Sequence, residues 1–229
     1  MKIAVVGVDF PLGKKNLSDE RLDKLKDLFH STKITSLQLD FQDQTHIKDA
    51  DGILCEEKAK LDLIIADLEI IENQLALVQD QDLFLRCREA LEKETPLNEI
   101  PVSEEEKKLL LNINLVTLKP ITFMDKENLA SQPEIIRRVF ANCGMLSFFT
   151  VNEKELRAWP IKKGTTVYEA AGSIHSDIQR GFIKAEVIGY EDLVKAGSLN
   201  AAKGKGAMKL EDKNYIVRDG DLIQIRFNV

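Results

Sequence analysis

Lys2-Ile3-Ala4-Val5-Val6-Gly7, followed by Gly13-Lys14-Lys15, is the stretch on which the fold turns. After Lys2 it is wholly apolar up to Gly7, as expected of a strand buried on both faces of a parallel sheet. Downstream, Ser18 can cap a helix, Asp19 and Glu20 fall in its first turn, and Leu22, Leu25 and Leu28/Phe29 recur at helical spacing up to His30. Strand, glycine turn and helix make a βα unit. Ile34 to Phe41 and Gly52 to Cys55 read as a second and a third strand.

The strongest periodicity lies in Glu57 to Val78, where Leu61, Leu68 and Leu75 recur every seven residues, as do Ile64, Ile71 and Val78. These are the a and d positions of a short seam. A polar break, Gln79-Asp80-Gln81-Asp82, precedes a second helical face of Leu83, Cys87, Ala90 and Leu91. The pair predicts an intrachain helical hairpin over residues 57–94, since about three heptads fall short of demanding a partner chain. Self-association through the same seam is the alternative. Ser103 with Glu104, Glu105 and Glu106 opens a third helix, Leu115 to Phe123 reads as a strand interrupted by Pro120, and a helix from Pro133 to Asn142 closes at Gly144.

Charged residues make up 31% and hydrophobic ones 44% of 229 residues, which excludes a disordered or fibrous chain. The apolar stretch Ile3 to Val6 is far below the roughly 18 residues of a membrane span. Cys55, Cys87 and Cys143 are odd in number, widely spaced and without a CxxC pair, so with no export signal read they predict a reducing, cytoplasmic setting without disulfides. The net charge of −6 is uneven. From Ser147 onward 13 Lys and Arg face 11 Asp and Glu, net +2; before it 19 face 27, net −8. The C-terminal part is therefore the anion binder of the two.

That part reads as strands at Glu155–Ile161, Phe182–Ile188, Asn214–Val217 and Leu222–Phe227 around a helix opened by the capping box Thr166-Val167-Tyr168-Glu169, with a turn at Asp219-Gly220. Strands around one main helix in so few residues predict an α+β, β-grasp (ubiquitin-like) module. Ser173, His175 and Asp177 are alternate residues at a helix end and read as a capping cluster, because a catalytic triad draws its members from separate elements. His30 and His46 have no partner at metal-ligand spacing, so no metal site is expected. Lys195, Lys203, Lys205, Lys209 and Lys213 flank a glycine-containing loop and could meet RNA phosphates, with Lys162, Lys163 and Arg180 extending the patch. Aromatic residues are sparse among them, which favours structured RNA or protein over single strands.

From Phe148-Phe149-Thr150 through Glu153-Lys154-Glu155-Leu156-Arg157-Ala158-Trp159, Lys163-Gly164-Thr165-Thr166, Arg180-Gly181-Phe182-Ile183 and Asp219-Gly220-Asp221 to Arg226-Phe227-Asn228-Val229, the chain resembles the TGS-like domain of the YchF-type Obg-like ATPases. Asp62 to Glu69 looks like that family's helix leading into its coiled-coil insertion. The resemblance implies a P-loop GTPase-like α/β domain, a helical arm and the TGS-like domain, ATP hydrolysis in preference to GTP, and a link to ribosomes. It sets the expected division at residues 1–146 for the α/β remnant and 147–229 for the TGS-like domain, the former about half the family's length.

A P-loop is G-x-x-x-x-G-K-[ST], whose spacing curls backbone N–H groups around phosphates and whose hydroxyl holds magnesium. Here five residues separate Gly7 from Gly13, and Lys15 follows Lys14 where the hydroxyl belongs. Asp49 to Gly52, the one Asp-x-x-Gly, precedes its strand, and Met124-Asp125-Lys126-Glu127 stands where the family reads its base with Asn-x-x-Glu. The residues therefore predict a lost nucleotide site and a non-catalytic binding or scaffold protein without cofactor, docking to RNA, the ribosome or a protein. The alternative is an ATP or GTP hydrolase with magnesium and an atypical loop, in which Gly7, Gly13, Lys14 and Lys15 still hold phosphate.

Overall fold

The structure, a computed structural model, describes residues 1–77, 82–124, 131–152 and 154–228. Val78 of the seam, Gln79 to Gln81 of the polar break, Asp125-Lys126-Glu127 of the base-reading motif, Glu153 and Val229 lie outside the described residues. In chain order the elements are β1 (Lys2–Val6), β2 (Gly13–Asn16), α1 (Glu20–Phe29), β3 (Lys33–Thr35), β4 (Gln38–Asp43), β5 (Gly52–Glu56), α2 (Lys60–Leu75), α3 (Asp82–Glu92), α4 (Glu104–Leu111), β6 (Ile121–Met124) and α5 (Gln132–Asn142). There follow β7 (Met145–Val151), β8 (Glu155–Lys162), α6 (Val167–Ile174), α7 (Ser176–Arg180), β9 (Phe182–Gly189), α8 (Tyr190–Ala196), α9 (Leu199–Gly204), β10 (Lys209–Glu211) and β11 (Asp221–Phe227). The chain forms two compact units, Met1–Lys15 with Leu39–Cys143, and Asn16–Gln38 with Gly144–Val229.

The first unit is built on a sheet of order β2-β4-β1-β5-β6, in which β1 runs parallel to β4 and β5, and β5 parallel to β6. Ile3, Ala4, Ile53, Leu54 and Cys55 are fully buried in it, as a parallel sheet covered on both faces requires. Gly52 has no room for a side chain, because a Cβ there would meet Cys143 Sγ at 2.5 Å. The helical hairpin is present: α2 buries Leu63, Ile64, Asp67 and Ile71, and α3 buries Leu83, Phe84, Cys87 and Leu91. Its seam keeps the expected positions Ile64, Leu68, Ile71 and Leu75, which pack with the α3 side chains, whereas Leu61 is 45% exposed and Leu63 packs on the sheet with Val6, Ile53 and Cys55. The capping box at Ser103 opens α4 as predicted, with Ser103 N donating to Glu106 Oε2 and Glu106 N to Ser103 Oγ.

Two expected strands change. Leu115 to Phe123 is extended only over β6, after Pro120, because the amides of Val116 and Thr117 donate to a side chain instead of a neighbouring strand: Asp67 accepts from both at 2.8 and 2.7 Å, and from Thr117 Oγ1 at 2.6 Å. Ile34 to Phe41 splits into β3 and β4, which belong to different sheets.

In the second unit the sheet order is β10-β9-β11-β7-β8-β3. β7 and β8 form an antiparallel hairpin, β11 lies parallel to β7 and antiparallel to β9, and β3 adds to the β8 edge in parallel. Thr166 and Glu169 make the expected capping box at the start of α6, whose Val167 and Ala170 pack with Phe148, Ile161, Ala185, Val187 and Ile223. Asn214 to Val217 is no strand; it holds a single bridge between Thr166 and Ile216. Phe149 alternates with Phe148 and so faces the opposite side of the sheet. There it is unexposed and carries the Arg21 guanidinium 5.2 Å from its ring centre. Asn16–Gln38, expected with the α/β remnant, therefore clusters with the C-terminal sheet, in contrast to a single division between residues 146 and 147.

Candidate functional site

The phosphate-loop candidates lie at the end of β1 and in β2. Gly7 has φ +70°, and a Cβ there would approach Ala59 Cβ to 3.0 Å, so glycine is needed for close packing as well as for the turn. Gly13 also has a positive φ, +89°, with open space around it. Phosphate cradles are made where a glycine loop opens directly into a helix and its free N–H groups converge. Gly13-Lys14-Lys15-Asn16 is instead β2, the edge strand of the first sheet, with Lys14 exposed and Lys15 half-buried on alternate sides. The next helix, α1, starts at Glu20 in the second unit and already has an anion at its N-terminus: Asp19 Oδ1 accepts from Arg21 N at 3.0 Å. Asp49 ends a short 3-10 turn and Gly52 opens β5, the helix-to-strand turn expected of that pair. Among the described residues no three His, Cys, Asp or Glu are grouped to hold a metal ion.

The structure divides the predicted cationic patch. Lys203 and Lys205 sit at the end of α9 and Lys209 in β10, along one edge of the second sheet. Lys203 is already paired, its Nζ 2.8 Å from Glu186, which also holds Arg226. Lys205 and Lys209 are exposed, as are Lys195 and Lys213. Lys162 ends β8, four strand positions from β10, or roughly 19 Å at the usual strand spacing. Lys163 follows it. Arg180 belongs to neither group: it ends α7, pairs with Asp177 at 2.7 Å and precedes β9 at the opposite end of the sheet from Lys162. The patch is thus one edge cluster, Lys195, Lys205 and Lys209, and outlying cations. His175 caps α7, its Nδ1 accepting from Asp177 N at 3.1 Å, as the capping reading of Ser173, His175 and Asp177 expects.

A second polar centre surrounds the Asp219-Gly220 turn, of which the sequence pattern shows only the turn itself. Asp219 accepts from Arg21 Nη1 at 2.7 Å and from Ser147 N at 2.9 Å, and Arg21 is held in turn by Asp19 at 2.8 Å. Gly220, at φ +85°, makes the turn. Asp221 is buried and accepts from Tyr215 Oη at 2.8 Å and Arg218 N at 2.9 Å; burial pushes its carboxyl above the usual range, and burial with the Asp221 contact raises the Tyr215 hydroxyl. Only the long-range partner Arg21, far upstream, makes Asp219 legible as more than a turn residue.

Residues 145–228 match the family YchF-GTPase_C, described as a protein of unknown function (DUF933). The chain is 28% identical over 331 aligned residues to the ribosome-binding ATPase YchF of Bacillus subtilis (strain 168), covering 97% of this chain and 90% of that one. An alignment of that length leaves gaps of about a hundred residues in this chain. It is 34% identical over 174 residues to the ribosome-binding ATPase YchF of Mycoplasma genitalium, covering 75% of this chain and 46% of the relative. Against human Obg-like ATPase 1 the identity is 49% over 96 residues, 42% of this chain and 24% of the relative. The solved structure of the Schizosaccharomyces pombe YchF GTPase superposes with a TM-score of 0.79 at 18% identity, over 96% of this chain and 88% of that one. With the fold shared almost throughout and the C-terminal family match running from β7 to β11, the chain is a relative of the YchF-type Obg-like ATPases.

Proposed function

We propose that this chain is a non-catalytic docking protein, a shortened YchF-type relative that has lost its nucleotide site and binds the ribosome through its C-terminal domain. The observation that carries the first half is β2: Gly13-Lys14-Lys15 lies in an edge strand, where extended backbone cannot gather N–H groups around a phosphate, and Lys15 brings a cation where magnesium needs an oxygen. These residues do not fit a magnesium nucleotide. The second half rests on the relatives named ribosome-binding ATPases and on the edge cluster of Lys195, Lys205 and Lys209 beside exposed Val194 and Leu210.

The C-terminal domain is a TGS-like β-grasp in this reading. A β7-β8 hairpin, a helix across one face and β11 inserted parallel to β7 beside β9 support that assignment. No described helix is long and apolar enough to cross a membrane; the ribosome reading places the chain in the cytoplasm.

The test is pelleting with purified ribosomes at low salt. The wild-type chain pellets, and Lys195→Glu combined with Lys205→Glu weakens binding about tenfold, a loss expected when phosphate contacts are reversed in sign. Equal pelleting of the variant, or no pelleting of the wild type, contradicts docking through this edge.

A further inference from the structure

We propose that the cavity beside the Asp219-Gly220-Asp221 turn binds a small organic cation, a primary ammonium or guanidinium group carried on a slender chain. The cavity lies wholly within the second unit, has a volume of about 300 Å³, and is lined by the β9 segment Val187–Gly189 together with Tyr190 and Tyr215. Asp221 lines it as a side chain only 3% exposed.

Its Oδ2 is satisfied by the Tyr215 hydroxyl and the Arg218 amide, whereas no described group donates to Oδ1. Oδ1 is thus the carboxylate oxygen left open, on an otherwise buried side chain, to accept from water or from a donor in the cavity. The direction in which Oδ1 looks is marked by Gly189: a Cβ built there would lie 4.0 Å from Oδ1 and meet nothing else within that distance. Burial holds the Asp221 carboxyl above its usual range, a cost that a cation in the cavity removes.

Charge chooses the class of ligand. Asp219 is occupied by Arg21 and Ser147, which leaves Glu191, Asp192, Glu211 and Asp221 against Lys209 and Arg218. The balance is acidic, so phosphate is disfavoured. The acids are also spread along the walls, and among the described residues no three gather as metal ligands. An elongated cation suits such a slot better than a compact ion, since its charged end reaches Asp221 while its methylene groups lie on the tyrosine rings. Two sources share that chemistry, a free polyamine and a Lys or Arg side chain of a partner. Lys209 lines this cavity and also belongs to the edge cluster, but Gly189→Leu leaves Lys195, Lys205 and Lys209 in place, so cation binding and ribosome docking can fail independently.

Calorimetric titration of the full chain tests it, with spermidine, a short Lys/Arg peptide and inorganic phosphate as separate ligands. Saturable one-to-one binding of spermidine or of the peptide is expected, and none of phosphate; the tighter of the two identifies the source. Gly189→Leu fills the space before Asp221 without removing a charge, at a φ of −66° that leucine adopts freely. It is expected to weaken binding at least tenfold while thermal melting stays within a few degrees. Wild-type binding in Gly189→Leu, phosphate binding as tight as either cation, or no saturation by either cation up to about 10 mM, a tenfold excess over a millimolar Kd, overturns the proposal.

Discussion

Asp67→Ala is expected to destabilise the first unit by about 3 kcal/mol or more, since three buried donors lose their acceptor at once and each costs roughly 1–3 kcal/mol. Asp67 is unexposed in the middle of α2, and its carboxylate takes the Val116 and Thr117 amides and the Thr117 hydroxyl. Thr117 Oγ1 also accepts from Leu97 N at 3.3 Å, so the same knot ties α2 to the chain on either side of α4. Burial raises the Asp67 carboxyl and the three donors pull it back down, so the group works as an acceptor rather than as a charge partner. Asp67→Asn keeps the shape but turns an NH₂ toward a donor, and should cost less than alanine while remaining destabilising. Urea unfolding with unchanged m-values measures both. A loss below about 1 kcal/mol for alanine, the net worth of one ordinary hydrogen bond, contradicts the role assigned to Asp67.

Leu25→Ala is the second large effect, about 2–5 kcal/mol for a fully buried leucine cut back to a methyl group. Where it acts is as informative as how much. Leu25 lies in α1, between the Arg21 cluster and β3, and that segment belongs with the C-terminal sheet. Hydrogen exchange should therefore accelerate in β7 and β8 while β1 and β5 keep their protection. Accelerated exchange in β1 and β5 with β7 and β8 unchanged would return α1 to the N-terminal unit.

That assignment shows where sequence reading stops. Ser103 and Thr166 were legible as capping boxes because a cap involves residues three apart, and the α2-α3 hairpin because its apolar periodicity is local. The fate of Ile34 to Phe41 depends on partners in opposite directions along the chain: β3 finds Glu155–Arg157 far downstream, whereas β4 finds β1 upstream. Leu115 and Val116 carry an apolar pattern fit for a strand, yet the Val116 and Thr117 amides are met by Asp67, whose place in the sequence between Ala66 and Leu68 gives no sign of burial. Heptad counting places Ile64, Leu68, Ile71 and Leu75 against α3, but it cannot tell that Leu61 stays exposed while Leu63 packs on the sheet.

The candidate sites divide in the same way. The spacing from Gly7 to Lys15 could be read directly, because a phosphate cradle is a local object. The cationic patch could be read only as a list of residues: its splitting, and the neutralisation of Lys203 by Glu186, depend on strand order and on ion pairs across β9. The cavity at Asp221 could not be read at all, being assembled from β9, α8, β10 and the final turn.

Thermal melting of the full chain with millimolar ATP or GTP and magnesium tests the central claim most directly, because it detects binding without requiring turnover. A ligand at 100 times its Kd adds about 2.7 kcal/mol, a rise of several degrees for a domain of this size. The account predicts no shift with either nucleotide. A saturable shift of several degrees that disappears in a Lys14→Ala, Lys15→Ala variant would show that β2 still holds phosphate and would contradict the loss of the nucleotide site.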